Sequence, residues 1–241
     1  MDQNPPLTLC IDIGGTGIKT LVVGTDGKAL TERRRADTPR PATPKAVVRT
    51  ILDLATQQGA FDRVSVGFPG VVRKGVVETA FNLHKDWIGV NVDRTLTKEL
   101  GKPVRAANDA DVQGLGSIKG EGVELVITLG TGFGSALFMD GRLVPNLQLG
   151  HHAGWGKKTY EDELGNKALK KAGKKKWNKR VRKALDSLAT LFNYDRLYIG
   201  GGNAAHIKFD LPERVKIISN EQGLFGGLAL WNGKENSYGV R

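Results

Sequence analysis

The stretch that decides the fold is Leu9-Cys10-Ile11-Asp12-Ile13-Gly14-Gly15-Thr16-Gly17, and its pattern returns as Leu125-Val126-Ile127-Thr128-Leu129-Gly130-Thr131-Gly132. In each copy an apolar run typical of a strand leads into a tight glycine-rich turn. A second apolar run and an Asp-Gly pair follow, Asp26-Gly27 and Asp140-Gly141, of a kind found in two-residue hairpin turns. The features recur in order at offsets of 114 to 116 residues. This favours an internal duplication, and hence two similar lobes, over a chance pairing of two hairpins.

The composition is that of a globular protein. Hydrophobic residues make up 39% and charged residues 25% of the 241 residues, enough apolar material for a core. No run approaches the ~18 apolar residues of a membrane span, and the N-terminus lacks the layout of a signal peptide. We therefore expect a cytoplasmic protein without a membrane partner. The one cysteine, Cys10, excludes an internal disulfide framework and a cysteine-rich zinc site.

Strands and helices alternate outside the two copies. Apolar spacing predicts helices over 44–58 and 93–100, with Gly101 just past the end of the second. Short apolar runs predict strands over 64–68, 104–107 and 195–199. This alternation is typical of an α/β protein whose sheets are covered by helices.

Both glycine-rich turns have the chemistry of phosphate sites. Backbone N–H groups that converge in such a turn bind an anion, and Thr16 and Thr131 each add a hydroxyl donor. No Walker A run occurs, and a dinucleotide fingerprint needs a helix after the glycines, where this sequence has a strand. Either turn taken alone is more typical of an ordinary hairpin than of a phosphate site. The repeated pair favours two turns that hold a phosphate chain between them.

Further motifs identify a family. Asp12–Thr16 with Lys19, Gly130–Gly132 and Gly200–Gly202 match the two phosphate motifs and the nucleotide motif of the actin/hexokinase-like ATPases. The landmarks that match the ROK family of bacterial sugar kinases lie at 67–70, 82–83, 108–111, 149–151 and 220–227. The chain therefore resembles this family, and within it the polyphosphate/ATP glucokinases.

The resemblance implies a two-lobed α/β fold of the actin-like (ribonuclease H-like) ATPase type. Its core is a duplicated hairpin sheet, with a cleft between the lobes. We expect the N-terminal lobe over 1–107, joined by the last residues 228–241, and the C-terminal lobe over 108–227. The resemblance also implies a homodimer.

Each matched residue receives a role from the resemblance. Asp109 matches the general base that takes the proton of the attacking hydroxyl, although it or Asp111 could instead cap a helix. Asp12 would hold Mg²⁺, through water. The matched sugar contacts are Gly70, Asn82, Asn108, Asp109, Gln148, His151 and Glu161. The matched phosphate and nucleotide contacts are Asp12, Gly14, Gly15, Thr16, Lys19, Gly130, Thr131, Gly132, Gly200, Gly201 and Gly202.

Several positions leave alternatives open. Gln148 stands where the family usually has Glu, and an amide offers one acceptor and one donor group where a carboxylate offers two acceptors. His151 could be an ordinary polar loop residue. Glu161 is the first candidate for a second carboxylate that binds sugar, and Glu163 is the second candidate. The family's cysteine-rich zinc motif is missing, so we expect no zinc.

The net charge of +11 is concentrated in one segment. Residues 157–183 contain twelve Lys and Arg and three acidic residues, net +9, which leaves +2 for the rest. From Trp177 to Phe192 the apolar spacing predicts an amphipathic helix with a basic back. The basic face of this helix could simply be exposed to solvent, or it could bind polyphosphate through Lys175, Lys176, Lys179 and Arg180. Nucleic acid is a third option, disfavoured by the sparse aromatic residues beside the lysines.

We predict an enzyme that transfers a phosphoryl group from polyphosphate, ATP or both to the 6-hydroxyl of glucose. One alternative is an ATP-dependent kinase for another hexose, such as mannose, fructose or an N-acetyl amino sugar. Another is a non-catalytic relative that binds sugar or a polyanion, an alternative that Gln148 keeps open.

Overall fold

The computed structural model describes residues 5–232, without the side chains of Trp155, 220–224 and Asn232. They form two compact units. The first unit comprises the described residues through Gly116 together with those from Leu224 onward. The second comprises Ser117–Gly223.

A five-stranded mixed sheet forms the centre of the first unit. Its strands are β1 (Thr8–Ile13), β2 (Gly17–Val23), β3 (Arg34–Asp37), β4 (Arg63–Phe68) and β7 (Val104–Asn108), and a separate small hairpin contains β5 (Val72–Arg73) and β6 (Val76–Val77). The strand order is β3-β2-β1-β4-β7. β1, β2 and β3 pair antiparallel, whereas β4 runs parallel to β1 and β7 runs parallel to β4. The central strand β1 is almost entirely buried, as its continuous apolar run predicts.

Helices α1 (Pro44–Ala55), α2 (Val92–Leu100) and α3 (Asp109–Leu115) complete the first unit. Thr43 caps α1 by accepting from the backbone N–H of Ala46, with proline at the first helical position. α2 ends at Gly101, whose φ of 64° is the left-handed conformation that the sequence indicated. α3 packs on β4 and β7. The first unit therefore continues through Gly116, past the boundary at residue 107 that the sequence indicated.

The second unit repeats the first sheet. Its strands are β8 (Val123–Leu129), β9 (Phe133–Met139), β10 (Arg142–Val144), β13 (Arg196–Gly200) and β14 (Val215–Ile217), beside a two-stranded ribbon of β11 (Ala153–Trp155) and β12 (Lys158–Thr159). Their order is β10-β9-β8-β13-β14, with three antiparallel strands followed by two parallel ones. Each strand thus matches its counterpart in the first sheet in order and direction. This confirms the predicted duplication.

The two Asp-Gly turns differ in length. Asp140 and Gly141 join Met139 and Arg142, which pair directly, and both turn residues have positive φ. This is the predicted two-residue turn. The turn at Asp26-Gly27 is longer, because the backbone N–H of Gly24 donates to the carbonyl of Lys28 across three intervening residues.

The predicted basic helix begins earlier than its apolar spacing indicated. A short helix α4 (Tyr160–Leu164) leads into α5 (Asn166–Phe192), which is interrupted at Gly173 (φ 73°, ψ 159°). Trp177 is fully buried, and its indole N–H donates to the carbonyl of Leu164 at 2.9 Å. α4 and the second half of α5 are thereby joined in one core.

The last helix, α6 (Asn220–Asn232), returns the chain to the first unit. The Ser65 hydroxyl donates to the carbonyl of Gly227 and accepts from the indole N–H of Trp231. The Trp231 ring lies 5.1 and 4.5 Å from the guanidinium carbons of Arg63 and Arg105. Residues 233–241 of the predicted C-terminal return lie outside the described residues. None of the helices in 5–232 has the length and apolarity needed to cross a membrane.

Candidate functional site

The first glycine-rich turn carries an ion pair at its edge. Asp12 and Lys19 lie opposite each other in the antiparallel pair of β1 and β2, so their side chains share one face. Lys19 Nζ contacts Asp12 Oδ2 at 2.7 Å, and both side chains are about 30% exposed. The turn closes with a hydrogen bond from Gly14 N–H to the carbonyl of Gly17. The predicted Asp12, Gly14 and Lys19 therefore lie together, with a carboxylate accessible to solvent.

Asp109 lies at the same edge of the first sheet. β1, β4 and β7 are parallel neighbours, with Asp12 beside Gly67 and Gly67 beside Ala107. A side chain at Gly67 would contact the Asp109 backbone at 3.4 Å. Burial, and after it the negative charge of Asp12, raises the pKa of Asp109 to about 7. The N–H of Ala110 and the charge of Lys19 oppose this shift. A carboxyl group of this pKa can exchange a proton near neutral pH.

Asn108 supports Asp109. Its Oδ1 accepts from the backbone N–H groups of Ala110 and Asp111, and its Nδ2 donates to the carbonyl of Gly70 at 3.0 Å. The cap of α3 is thus Asn108, with Asp109 the first residue of the helix. A side chain at Gly70 would meet the carbonyl of Thr79 at 2.0 Å, so the close packing there requires glycine.

Asn82 lies against the first turn. A Cβ at Gly15 would be 3.1 Å from the Asn82 Cβ. The structure therefore brings together the sugar candidates of the first unit and its phosphate turn. The sugar candidates are residues 70, 82, 108 and 109, and the phosphate turn with its flanking ion pair is residues 12–19.

Three contacts to this turn were not predicted. The Thr38 hydroxyl donates to the carbonyl of Gly14 at 2.6 Å, and Arg40 Nη2 donates to the carbonyl of Gly15 at 2.8 Å. Arg35 Nη2 reaches the carbonyl of Thr16 at 3.3 Å. The signal that could have found Arg35 is the basic run Arg33–Arg35 that follows the first hairpin. Arg35 also pairs with Asp37 at 2.8 Å, so the positive charge of Arg40 is the one that favours an anion at this turn.

The second glycine-rich turn contacts the nucleotide motif. Gly130 N–H donates to the carbonyl of Gly132, while the Gly130 carbonyl accepts from Asn203 Nδ2 at 3.0 Å. Gly201 has φ 84°, and a Cβ there would lie 2.3 Å from the carbonyl of Leu129. Only glycine fits this close approach. The Thr131 side chain is exposed beside these contacts. The predicted Gly130–Gly132 and Gly200–Gly202 therefore form one cluster.

Glu161 is in contact with the second turn. Its Oε2 accepts from the backbone N–H of Phe133 at 3.2 Å, and a Cβ at Gly132 would lie 2.2 Å from the same oxygen. Gly150 packs on the carbonyl of Phe133. This contact brings the 3₁₀ turn Leu149–His151 beside the same strand.

Gln148 immediately precedes that 3₁₀ turn, and His151 is its last residue. The Ser135 hydroxyl fixes the loop by donating to the carbonyl of Leu147 and accepting from the N–H of Leu149. Gln148 is half-buried and His151 is exposed. Both predicted sugar residues thus lie in a loop anchored to the β9 strand of the second unit.

Glu163 and Arg180 form an ion pair with each other. Glu163 is 7% exposed, and its carboxylate contacts Lys158 Nζ at 2.9 Å and Arg180 Nε at 2.8 Å. Glu163, the second choice for a sugar carboxylate, joins α4 to α5 instead. Lys175, Lys176 and Lys179 are exposed, whereas Arg180 faces the protein.

The donor groups near Asp12 fit Mg²⁺. This ion is usually held by one or two carboxylates, substrate phosphates and water. Asp12 supplies one accessible carboxylate beside a turn suited to phosphate. In residues 5–232 no group of three or more His, Cys, Asp and Glu side chains could hold a metal by itself.

Comparison with known proteins identifies the family. The sequence profile of the ROK family matches residues 8–169. The polyphosphate glucokinase of Mycobacterium tuberculosis is 38% identical over 201 residues, which are 80% of this chain and 76% of that protein. The chain belongs to the ROK family.

Solved ROK structures share the whole fold. The inorganic polyphosphate/ATP-glucomannokinase of Arthrobacter sp. strain KM has a TM-score of 0.85 and 35% identity, covering 94% of this chain and 98% of that one. A ROK family glucokinase from Streptomyces griseus, in complex with glucose and AMPPNP, has a TM-score of 0.77 at 20% identity, covering 94% and 100%. The predicted actin-like α/β fold is thereby confirmed.

Proposed function

We propose that this ROK protein is a sugar kinase that transfers a phosphoryl group from polyphosphate, ATP or both to the 6-hydroxyl of glucose. Asp109 carries the proposal, because a carboxyl group with a pKa of about 7 lies beside Asp12 and a phosphate-type turn. The named activities of the relatives that are 38% and 35% identical support the choice of donor and sugar.

Asp109 is the general base of the proposed reaction. The backbone N–H of Ala110 holds Oδ1 at 2.9 Å, which leaves Oδ2 to take the proton of the attacking hydroxyl. A base must be deprotonated yet able to accept a proton, and a pKa near the working pH satisfies both. Asn108 positions Asp109 through the cap of α3.

The glycine-rich turns bind the donor. Phosphoryl transfer depends on positioning and charge neutralisation. The N–H groups of Gly15 and Thr16 in the first unit, and of Thr131 in the second, are suited to phosphoryl oxygens. Mg²⁺ held by Asp12 through water supplies further positive charge to the donor. Lys19 fixes the orientation of the Asp12 carboxylate.

The sugar is held by Asn82, Gln148, His151 and Glu161 in this proposal. Gln148 offers both an acceptor and a donor to sugar hydroxyl groups. Mannose is a second candidate acceptor, because the Arthrobacter relative is a glucomannokinase. Asn108 contributes to the sugar site by positioning Gly70, because its Nδ2 donates to the Gly70 carbonyl.

The test is a coupled assay for sugar 6-phosphate with glucose or mannose as acceptor and ATP or polyphosphate as donor. We expect product from glucose with at least one donor, and none without Mg²⁺. Calorimetry that shows sugar binding, together with no product from either donor, would instead support a non-catalytic binding protein.

The pH profile provides a further prediction. We expect kcat to rise with pH through about 7 and then level off, because only the deprotonated Asp109 accepts the proton. The profile is measured from about pH 5.5 to 8.5 with both donors, since donor phosphates also titrate. If the pH midpoint of kcat is the same with both donors, the titrating group is on the enzyme and not on the donor. A kcat that is constant across this range contradicts the role of Asp109.

A further inference from the structure

The first half of α5 carries a row of lysines. Lys167, Lys170 and Lys171, here called the lysine stripe, are spaced i, i+3 and i+4 before the interruption at Gly173, so they share one helical face. All three are exposed. The opposite face, with Ala168 and Leu169, is buried in the core of the second unit.

The lysine stripe begins at the second glycine-rich turn. The backbone N–H of Asn166, the first residue of α5, donates to the carbonyl of Gly130 at 2.9 Å and also reaches the carbonyl of Thr131. Since an α-helix rises 1.5 Å per residue, the stripe extends over about 7 Å from this point. A chain whose end lies at the turn can therefore continue along the lysines.

No group of the described protein neutralises the lysine stripe. Among residues 5–232, none of its three lysines forms an ion pair, although the neighbouring Lys158 and Arg180 both pair with Glu163. Like charges at i, i+3 and i, i+4 destabilise a helix. The charge pattern is therefore unfavourable for the helix itself, and an external anion would relieve it.

Gly173 separates the lysine stripe from the lysines that follow. Its φ of 73° interrupts the helical backbone, and a Cβ there would meet no atom within 4 Å. Packing does not require this glycine, but its backbone conformation does. Lys174, Lys175, Lys176 and Lys179 therefore belong to a second helical segment.

We propose that the lysine stripe binds the part of a linear inorganic polyphosphate chain that extends beyond the phosphates at Gly130–Gly132. The inference rests on the proposed function only in its choice of donor. A chain with charge on every repeat can contact all three lysines together, whereas the short triphosphate of ATP ends in an uncharged nucleoside. The stripe contains no aromatic residue for base stacking, which disfavours a nucleic acid.

The test compares two triple variants of the same helix. K167Q/K170Q/K171Q removes three charges from the lysine stripe, and K175Q/K176Q/K179Q removes three beyond Gly173. We expect the first to raise KM for long-chain polyphosphate about tenfold or more, with kcat and KM for ATP and for tripolyphosphate nearly unchanged. The logarithmic salt dependence should also fall by about 2, as three released counterions imply. The second variant should change KM for long chains far less.

Direct binding separates this proposal from the proposed function. Anisotropy of labelled polyphosphate, measured without sugar, should show about tenfold weaker binding to K167Q/K170Q/K171Q than to the unmodified protein. This readout holds even if no donor supports phosphoryl transfer, in which case only the proposed function fails. Equal effects of both triples, or unchanged binding, would overturn the proposal. Equal competition by single-stranded RNA at the same salt concentration would overturn the assignment to polyphosphate.

Discussion

Asp109→Asn is expected to lower kcat by roughly 10²–10⁴-fold while the protein stays folded. The amide cannot accept the proton of the attacking hydroxyl. It keeps the size of the side chain and the oxygen that accepts from the Ala110 N–H. The measurement is kcat in the coupled assay, with circular dichroism and thermal unfolding as checks on the fold.

Thermal unfolding gives Asp109→Asn a second readout. The raised pKa means that the folded protein holds this proton more tightly than the unfolded chain. Stability therefore falls as pH rises from about 4 to about 7, and the cost is complete above that range. At pH 8 the variant should unfold at the same temperature as the unmodified protein or higher. Asp53→Asn, at an exposed carboxylate on α1, is the control and should keep kcat. A near-normal kcat for Asp109→Asn would refute the proposed mechanism.

Glu124→Ala is expected to cost about 3 kcal/mol or more in the free energy of unfolding of the second unit. Glu124 is fully buried in β8 and accepts from the backbone N–H groups of Lys119, Gly120 and Glu121. It also accepts from the Tyr198 hydroxyl at 2.8 Å. Alanine leaves four donors without their acceptor, and each buried donor left unpaired costs about 1–3 kcal/mol. Solvent can reach some of them, which lowers the total.

The control for this variant is Glu121→Ala. The Glu121 carboxylate is 71% exposed and pairs with Arg196 at 3.2 Å, a contact worth about 1 kcal/mol or less. Urea unfolding of both variants measures the difference. Burial, and after it Glu124, raises the pKa of Tyr198 to about 12. Glu124→Ala should therefore also lower the pKa of that phenol, as followed by ultraviolet titration. Equal stability of the two variants would show that Glu124 does not hold the segment.

Much of the fold could be predicted from local sequence patterns. The strand, glycine-rich turn and strand of each copy depend on short apolar runs, so both central hairpins and the duplication were predictable. The edge strands β3 and β14 were not. β3 has the sequence Arg-Arg-Ala-Asp and is largely exposed, so apolar periodicity gives no signal there. It forms a strand by pairing antiparallel with β2 at the edge of the first sheet.

The candidate site was predictable as a set of residue types, but not in its contacts. The hydrogen bond from Asn108 to the carbonyl of Gly70 joins residues 38 positions apart. The burial of Glu163 against Arg180 likewise forms only when α4 and α5 pack. Charge patterning found the basic segment. It did not indicate the helical segment before Gly173, because too few apolar residues precede Trp177 to define a helical face.

The return of α6 to the first unit has a consequence for synthesis on the ribosome. The second unit is one continuous segment, Ser117–Gly223, and can complete its core as soon as that segment emerges. The first unit, although made first, lacks Gly227 and Trp231 beside Ser65 until nearly the whole chain is translated. We therefore expect the order of folding to be the reverse of the order of synthesis. The growing chain would expose the surface around Ser65 throughout, and chaperones that bind nascent chains would find it there.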